Sequence, residues 1–460
     1  MRRVLTALAL VLALPAPLSA GPTLADELGT IINASPLSRT AAVAAQVIDA
    51  ETGEVLFERN PDMLFVPASN MKLYTSACAL ATFGADHRFE TTVLLDGEAG
   101  GGGLRGDLVL RGGGDSTLRA DDLRGLARRV VEELGVRSIS GDVVVDVSLF
   151  ADRLKGPGWM WDDDPDLYNM SISAIMLDYN VLDVLVRPGA DPIASLALAS
   201  AYPPIVATDR PGPVVTRLPF TDEILVRASG VGAGESSHEL TMHDPARWVA
   251  GVFAQMLRDA GVTIQGEARV THVPVSGELA LTFEGLPLSE QLALFNKPSE
   301  NAIGEMLIHS LAVNAGRVPA TWGAGAEVIS QWLTSEAGLR EDQVNVVDGS
   351  GLSRYNLICA AGTCQLLRHV WQRPDRQIFV DSLPVAGVDG TIRQRMAGTP
   401  AQGNVRAKTG TMSGVSTLSG YATAAGGREI IFSILTNGLR SAAPARDLQD
   451  RFVIALVAAP

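Results

Sequence analysis

A serine and a lysine stand three residues apart at the predicted start of a helix. The stretch FVPASNMKLYTSACAL places Pro67 where a helix can begin, followed by Ser69 and Lys72 among small and apolar residues. Side chains three positions apart on a helix share a face, so the Lys72 amine can reach the Ser69 hydroxyl. If burial and a nearby cation remove its charge, this amine can act as the general base that activates the serine. A capping serine followed by a solvated lysine would give the same pattern.

A second motif, Ser299-Glu300-Asn301, precedes an apolar helical stretch. Taken alone, it is explained by a serine that caps a helix. In an acyl-transfer site, however, Ser299 can relay protons between amines, and Asn301 can hydrogen-bond the peptide backbone of a substrate.

A third motif, Lys408-Thr409-Gly410-Thr411, lies in a stretch that reads as a β-strand. Lys408 would supply positive charge, and the Thr409 and Thr411 hydroxyls could hold a terminal carboxylate. The backbone N–H groups of Thr411 and Ser69 would form an oxyanion hole. Gly410 would let the substrate lie close against the strand.

Strands near both ends of the chain, with helices between them, must position these groups. The segment 41–57 predicts two strands around a turn, and 405–437 predicts further strands with a hairpin at Gly426-Gly427. Helical periodicity covers the segments 289–315, 326–336 and 362–371. We therefore predict an α+β fold, in which helices flank an antiparallel sheet.

The middle of the chain, residues 91–284, has a different composition. It contains glycine clusters, short β-like runs and proline-rich joints. These features predict a β-rich insertion of two nested units between the catalytic segments 21–90 and 285–460. The run RGGGDSTL lacks the lysine of a phosphate-binding loop, so we expect a turn between strands there.

Composition, charge and cysteine content limit what kind of protein this is. Of the 460 residues, 47% are hydrophobic and 19% are charged, which is typical of a globular protein. The net charge of −14 argues against a general affinity for nucleic acid. The cysteines and histidines form no metal-binding motif, so we expect neither metal nor cofactor. Cys359 and Cys364 fall on different faces of a predicted helix, and we expect no disulfide between them.

The first 20 residues, MRRVLTALALVLALPAPLSA, combine a basic start, an apolar run and a small-residue exit. This is the pattern of a secretory signal peptide, here with cleavage after Ala20. An uncleaved anchor is the alternative, but the apolar run is shorter than the about 20 residues that span a bilayer. We therefore predict an exported protein without an integral membrane anchor.

The three motifs, in this order, resemble the active-site set of penicillin-recognising serine enzymes. Within that group the chain is similar to the class C low-molecular-mass penicillin-binding proteins, which are D-alanyl-D-alanine carboxypeptidases and endopeptidases. The likeness extends to NKPSEN, DGSGLSRYN, LPVAGVDGT, GGGDSTL and DVSLF. It implies a transpeptidase-like or β-lactamase-like domain interrupted by the insertion, because the interval from Ser69 to Ser299 is far longer than in β-lactamases.

The resemblance also implies a substrate. Peptidoglycan stem peptides would be hydrolysed at D-Ala-D-Ala termini through an acyl-enzyme on Ser69, with D-Ala-diaminopimelate cross-links as a second candidate bond. β-Lactam antibiotics would be covalent inhibitors. Arg354 and Asp146 are the implied contacts of the diaminopimelate side chain, although a surface arginine and a turn-capping aspartate explain them too. Ser413 stands where some relatives carry a glutamine, and Glu300 stands where the family usually has an aspartate.

These expectations describe a periplasmic serine DD-peptidase. A β-lactamase is one alternative, which would turn over penicillin rapidly. A penicillin-binding sensor is another, which would release no D-alanine repeatedly. The sequence does not choose between carboxypeptidase and endopeptidase action, and it does not indicate an oligomeric state.

Overall fold

A computed structural model describes residues 23–187, 193–194, 203–208, 212–227 and 234–459, so the predicted signal peptide lies outside the described residues. The strands are β1 Ala42–Asp49, β2 Val55–Arg59, β3 Glu90–Gly100, β4 Gly103–Gly112, β5 Ser138–Ile139, β6 Val143–Asp146, β7 Val181–Val186, β8 Ile193–Ala194, β9 Ile205–Thr208, β10 Val215–Arg217, β11 Ile224–Arg227, β12 Ser236–Thr241, β13 Thr263–Ile264, β14 Ala268–Thr271, β15 Glu278–Glu284, β16 Val344–Asn345, β17 Leu357–Ile358, β18 Val405–Met412, β19 Val415–Thr423 and β20 Glu429–Asn437. The α-helices are α1 Leu24–Ala34, α2 Leu37–Thr40, α3 Met71–Phe83, α4 Ala120–Glu132, α5 Pro245–Asp259, α6 Leu288–Asn296, α7 Asn301–Asn314, α8 Trp322–Ser335, α9 Ala360–Trp371, α10 Arg376–Ser382 and α11 Ala443–Ala458.

Antiparallel strands from both ends of the chain form one five-stranded sheet, in the order β18-β19-β20-β1-β2. Ala44 and Ile48 of β1 enter the core that contains α3 and α7. Val43, Ala45 and Val47 enter the opposite core, against α1 and α11. Because both faces are covered by helices, β1 is a nearly continuous apolar run. The predicted α+β arrangement of a sheet flanked by helices is confirmed.

Strands β3 to β15 pair only with one another within the described ranges. They form a seven-stranded sheet and two three-stranded sheets, β12-β7-β8 and β10-β11-β9. Helices α4 and α5 pack against each other and on the large sheet. Neither helix was predicted from the sequence, although the buried residues of α4 recur at helical spacing. The boundaries of the insertion at residues 91 and 284 stay a prediction.

Two local predictions need correction. The segment 289–315 is not one helix, because Pro298 cannot donate a helical hydrogen bond and Ser299 has a φ of +70°. The break between α6 and α7 brings Ser299 to the surface of a cleft. The run RGGGDSTL joins β4 to a helix and not to another strand. Within it, the Asp115 carboxylate accepts a hydrogen bond from the Thr117 backbone N–H at 2.8 Å.

All three cysteines are buried and unbridged, as expected. In the part of the chain that is described, no helix has the length and apolar character needed to cross a bilayer.

Candidate active site

The turn that carries Ser69 begins directly after Pro67. Residues Ala68–Asn70 form a 3-10 turn that continues into α3, and Ala68 has a φ of +47°, which is strained for a residue with a side chain. Ser69 lines the cleft, whereas Lys72 is completely buried. The Lys72 Nζ atom lies 3.2 Å from Ser69 Oγ, so the predicted pairing of hydroxyl and amine is formed.

Oxygen atoms from three residues hold the Lys72 amine. Besides Ser69 Oγ, the amine donates to Asn301 Oδ1 at 2.6 Å and to the Ser350 carbonyl at 2.8 Å. Burial lowers the pKa of Lys72 to about 8, and nearby carboxylates, Glu305 first among them, oppose a further decrease. Part of the Lys72 population is therefore uncharged near neutral pH, and only the uncharged amine can act as a general base.

A second buried amine, Lys408 on β18, lies on the other side of Ser299. Its Nζ atom donates to Ser299 Oγ at 3.0 Å and to the Thr409 carbonyl at 3.0 Å. Burial and the charge of Lys72 lower the pKa of Lys408 well below its ordinary value. The prediction that Lys408 supplies positive charge stays a prediction, and the lowered pKa means that burial disfavours the charged form of its amine.

Gly410 serves a contact different from the predicted one. A Cβ atom at this position would lie 2.4 Å from the Pro67 carbonyl oxygen and 2.2 Å from Thr417 Oγ1. The missing side chain lets β18 pack against the serine-bearing turn, so this packing requires a glycine at position 410, and the predicted approach of the substrate stays a prediction. The Asn70 side chain supports the same contact by donating to the Lys408 carbonyl at 2.8 Å.

Two cavities meet at Ser69, and both are also lined by Ser299 and Thr411. The first cavity, of about 610 Å³, extends past Asn301. The second cavity, of about 430 Å³, extends past Thr409. A peptide whose scissile bond lies at Ser69 would therefore place one half in each cavity.

The predicted specificity residues do not all lie together. Arg354 and Ser413 line the first cavity, where Arg354 Nη1 donates to the Ser413 carbonyl at 3.1 Å. Asp146 is instead fully buried, 2.9 Å from Arg111 Nε, and accepts the backbone N–H of Ser148 at 3.0 Å. A buried carboxylate with these partners cannot contact a ligand in the cleft. The prediction for Asp146 is therefore wrong, and the residue caps the turn after β6.

Several residues that line the first cavity were not predicted from the sequence, among them Asp163 and Tyr168. Asp163 and Tyr168 enter it from the segment between β6 and β7, and the Tyr168 carbonyl accepts a hydrogen bond from Asn301 Nδ2 at 2.9 Å. Asp164 anchors this segment through an ion pair with Arg217 at 2.6 Å. The stretch WDDDPDLYN shows clustered acids and aromatics, but no spacing in it assigns one residue to a site.

A buried carboxylate that the sequence analysis also missed lies behind Lys72. Glu305 accepts the Ser350 backbone N–H at 2.8 Å and the Trp322 indole N–H at 2.6 Å. Burial, together with the charge of Asp348, raises the pKa of Glu305. Because Lys72 donates to the Ser350 carbonyl, Glu305 fixes the position of residue 350, whose carbonyl holds the amine. The available signal was an acid inside the apolar run NAIGEMLIHSLAV.

Comparison with known proteins gives a consistent result. Residues 24–458 match the model of the D-Ala-D-Ala carboxypeptidase 3 (S13) family. The chain is 36% identical to a D-alanyl-D-alanine carboxypeptidase of Actinomadura sp. (strain R39), across 95% of this chain and 87% of that protein. It is 28% identical to the D-alanyl-D-alanine carboxypeptidase DacB of Haemophilus influenzae, across 84% and 83%. The crystal structure of penicillin binding protein 4 from H. influenzae matches with a TM-score of 0.82 at 25% identity, covering 94% of this chain and 99% of that one.

Proposed function

The chain belongs to the D-Ala-D-Ala carboxypeptidase 3 (S13) family, and from this premise we propose that it is a serine DD-peptidase whose acyl-enzyme forms on Ser69. The observation that carries this assignment is the 3.2 Å contact between Ser69 Oγ and the buried Lys72 Nζ. Burying an amine costs free energy of folding, so this contact is not explained by stability. It does place a base beside a nucleophile.

Acylation begins with the transfer of one proton. The neutral Lys72 amine takes the Ser69 hydroxyl proton while Oγ forms a bond to the substrate carbonyl carbon. The backbone N–H groups of Ser69 and Thr411 would donate to the oxyanion. When the tetrahedral intermediate collapses, the C–N bond breaks and the leaving amine takes the proton that Lys72 had accepted, relayed through Ser299, which lies within hydrogen-bond distance of Lys408.

Deacylation repeats the sequence with water as the nucleophile. Lys72, again neutral, takes a proton from the water molecule, whose oxygen attacks the ester carbonyl. The ester C–O bond breaks, Ser69 Oγ regains a proton, and a shortened peptide with a free carboxyl end leaves. One water molecule is consumed for each bond hydrolysed.

The terminal carboxylate of the substrate fits the strand side of the cleft. The Thr409 and Thr411 side chains line the second cavity, and Lys408 Nζ lies 3.0 Å from the Thr409 carbonyl. A carboxylate bound there would raise the pKa of Lys408, because an opposite charge favours the protonated amine. Substrate binding would thus restore the positive charge that burial disfavours.

The first cavity supports recognition of a side chain with both an amine and a carboxylate. Asp163 and Arg354 present opposite charges on its wall. Diaminopimelate carries both groups, so a stem peptide containing it is the proposed substrate. The Ser413 carbonyl orients Arg354, so the backbone at this position contributes whatever its side chain.

Location and domain organisation form part of the proposal. We propose that the protein is exported after cleavage at Ala20 and that residues 91–284 form an insertion in the catalytic domain. Amino-terminal sequencing of the secreted protein would test the cleavage, with a first residue of Gly21 as the expected result.

The test of the function compares the wild type with Ser69→Ala. The wild type should release D-alanine repeatedly from a pentapeptide and should be labelled covalently by a fluorescent penicillin, and the variant should do neither while keeping its melting temperature. Labelling of the folded variant would contradict the assignment. Rapid hydrolysis of penicillin by the wild type would indicate a β-lactamase, and a single acylation without D-alanine release would indicate a sensor.

A further inference from the structure

The two cavities beside Ser69 differ in charge. Among the described residues that line it, the first cavity combines Asp163 with arginines, whereas the second contains Arg395 and Arg446 and no carboxylate. A cationic wall is unusual in a chain with a net charge of −14. The second cavity is therefore suited to an anion.

Arg395 and Arg446 are held differently. Arg395 is only 14% exposed and donates to Asp450 Oδ1 at 2.7 Å, so its charge already has a partner. The Arg446 side chain is exposed and has no hydrogen-bond or ion-pair partner among the described residues. The acid next to it in the chain, Asp447, lies 3.9 Å from Arg451 instead. Arg446 therefore keeps a charge that is available to a ligand.

The position of Arg446 in its helix gives an independent argument. It is the fourth residue of α11, whose first turn contains no acidic residue. The amino end of a helix carries a partial positive charge, which disfavours a cation. Helix stability thus gives no reason for an arginine here, whereas a bound anion would benefit from both charges.

The size of the second cavity exceeds what a single amino acid needs. Cavities of about 300–1,000 Å³ bury ligands of drug size, and the second cavity measures about 430 Å³. A leaving D-alanine has one carboxylate, which Thr409 and Thr411 would hold. The rest of the cavity, which Arg446 helps to line, is then available to a larger leaving group.

Building on the proposed function, we infer that the second cavity binds the stem peptide on the amine side of a peptidoglycan cross-link. Arg446 binds a carboxylate of that peptide other than the one beside the scissile bond. Hydrolysis then consumes one water molecule, breaks the amide between D-alanine and the side-chain amine of the second stem, and releases that stem with a free amine. Arg446 thereby favours cross-links over D-Ala-D-Ala termini.

The experiment measures kcat/KM on two substrates, a pentapeptide monomer and a cross-linked dimer, for the wild type, Arg446→Ala and Arg446→Lys. Arg446→Ala should lower kcat/KM for the dimer about 5- to 10-fold, because a charge-assisted hydrogen bond is lost. It should change D-alanine release from the monomer less than about 2-fold, and Arg446→Lys should retain part of the dimer activity. Arg451→Ala is the matched control, since Arg451 lies on the same helix outside both cavities and should leave both activities unchanged.

A second arm changes the substrate. In a dimer whose amine-side stem has its carboxylates amidated, except the one beside the scissile bond, the wild type should lose the same factor and Arg446→Ala should lose nothing further. Equal losses on monomer and dimer, or an unchanged rate on the dimer, would overturn the role of Arg446. A wild type that trims the monomer but leaves the dimer intact would overturn the subsite alone. A wild type that neither releases D-alanine nor binds penicillin would overturn the proposed function itself.

Discussion

Two clusters of buried charged residues, one at the cleft and one around Asp164, differ in how their charges are compensated. In the middle of the chain, Asp164 Oδ1 lies 2.6 Å from Arg217 and 3.1 Å from Lys155. In the cleft, Lys72 and Lys408 are completely buried, yet neither forms an ion pair with a described carboxylate. The first cluster neutralises charge by pairing, and the second leaves two amines near neutral oxygen atoms.

The pKa values follow from this difference. Burial alone would raise the pKa of Asp164, but the Phe220 N–H and the charges of Lys155 and Arg217 outweigh it, so the pKa lies below its usual range. For Lys72, burial dominates and lowers the pKa to about 8. Burial beside opposite charges thus keeps Asp164 charged. Burial without an ion pair lowers the pKa of Lys72 enough for its amine to serve as the proposed base.

The largest expected effect comes from replacing the base in the cleft. Lys72→Arg should reduce acylation by penicillin and D-alanine release by about 10²- to 10⁴-fold, since a guanidinium keeps its proton. Stopped-flow labelling measures the acylation rate. Because the larger side chain can disturb packing, Lys72→Met, which is uncharged and of similar length, serves as the second variant. If either folded variant acylates at the wild-type rate, Lys72 is not the base.

Breaking the paired cluster should affect stability more than chemistry. Asp164→Asn leaves the buried Arg217 guanidinium without its full counter-charge and should cost about 3–5 kcal/mol in the free energy of unfolding. Urea titration followed by tryptophan fluorescence measures this cost. Acylation of the folded fraction by a small β-lactam should fall far less than in Lys72→Arg, because Asp164 itself lines neither cavity. An unchanged unfolding midpoint would remove the distinction between the two clusters.

The pH dependence of acylation tests whether the buried amine of Lys72 acts in its neutral form. Lys72 acts in its neutral form and its pKa is lowered from 10.5 to about 8, so its active fraction rises as the pH rises through that value. The acylation rate constant should therefore increase about tenfold per pH unit below the pKa and level off above it. Rates measured across this range, in buffers of constant ionic strength, test the sign. A rate that is flat or falls with rising pH would contradict a neutral amine as the base.

The cluster that we propose to be catalytic was predictable from the sequence because local spacing determines it. Ser69 and Lys72 are three apart on one helical turn, and the motifs of Ser299 and Lys408 are recognisable as short strings. Asp163 could not be found in this way, since it reaches the cleft through a segment whose anchor, Arg217, lies far along the chain. The contact is tertiary, and no periodicity encodes it.

The mistaken role of Asp146 has the same origin. An aspartate at the end of a strand reads alike whether it faces a ligand or a buried arginine. The partner that decides the matter, Arg111, lies on the neighbouring strand β4, at the position paired with Asp146. The packing that requires a glycine at position 410 could not be predicted either, because the Pro67 carbonyl that approaches it comes from a distant turn.

The smallest expected effect distinguishes these two aspartates by substrate preference. Asp163→Asn removes the negative charge from the first cavity and should lower kcat/KM about 3- to 10-fold for a stem peptide whose side chain ends in an amine. A peptide with an alanine in place of the diaminopimelate should be hardly affected, since it brings no cation to that wall. Asp146→Asn should leave the ratio between the two substrates unchanged, although losing the carboxylate that binds Arg111 should lower the melting temperature. The ratio is informative because it cancels differences in the amount of folded protein. If Asp146→Asn alters this ratio and Asp163→Asn does not, then Asp146 determines specificity although it is buried and paired. That result would contradict the assignment of Asp163 to substrate binding and of Asp146 to structure.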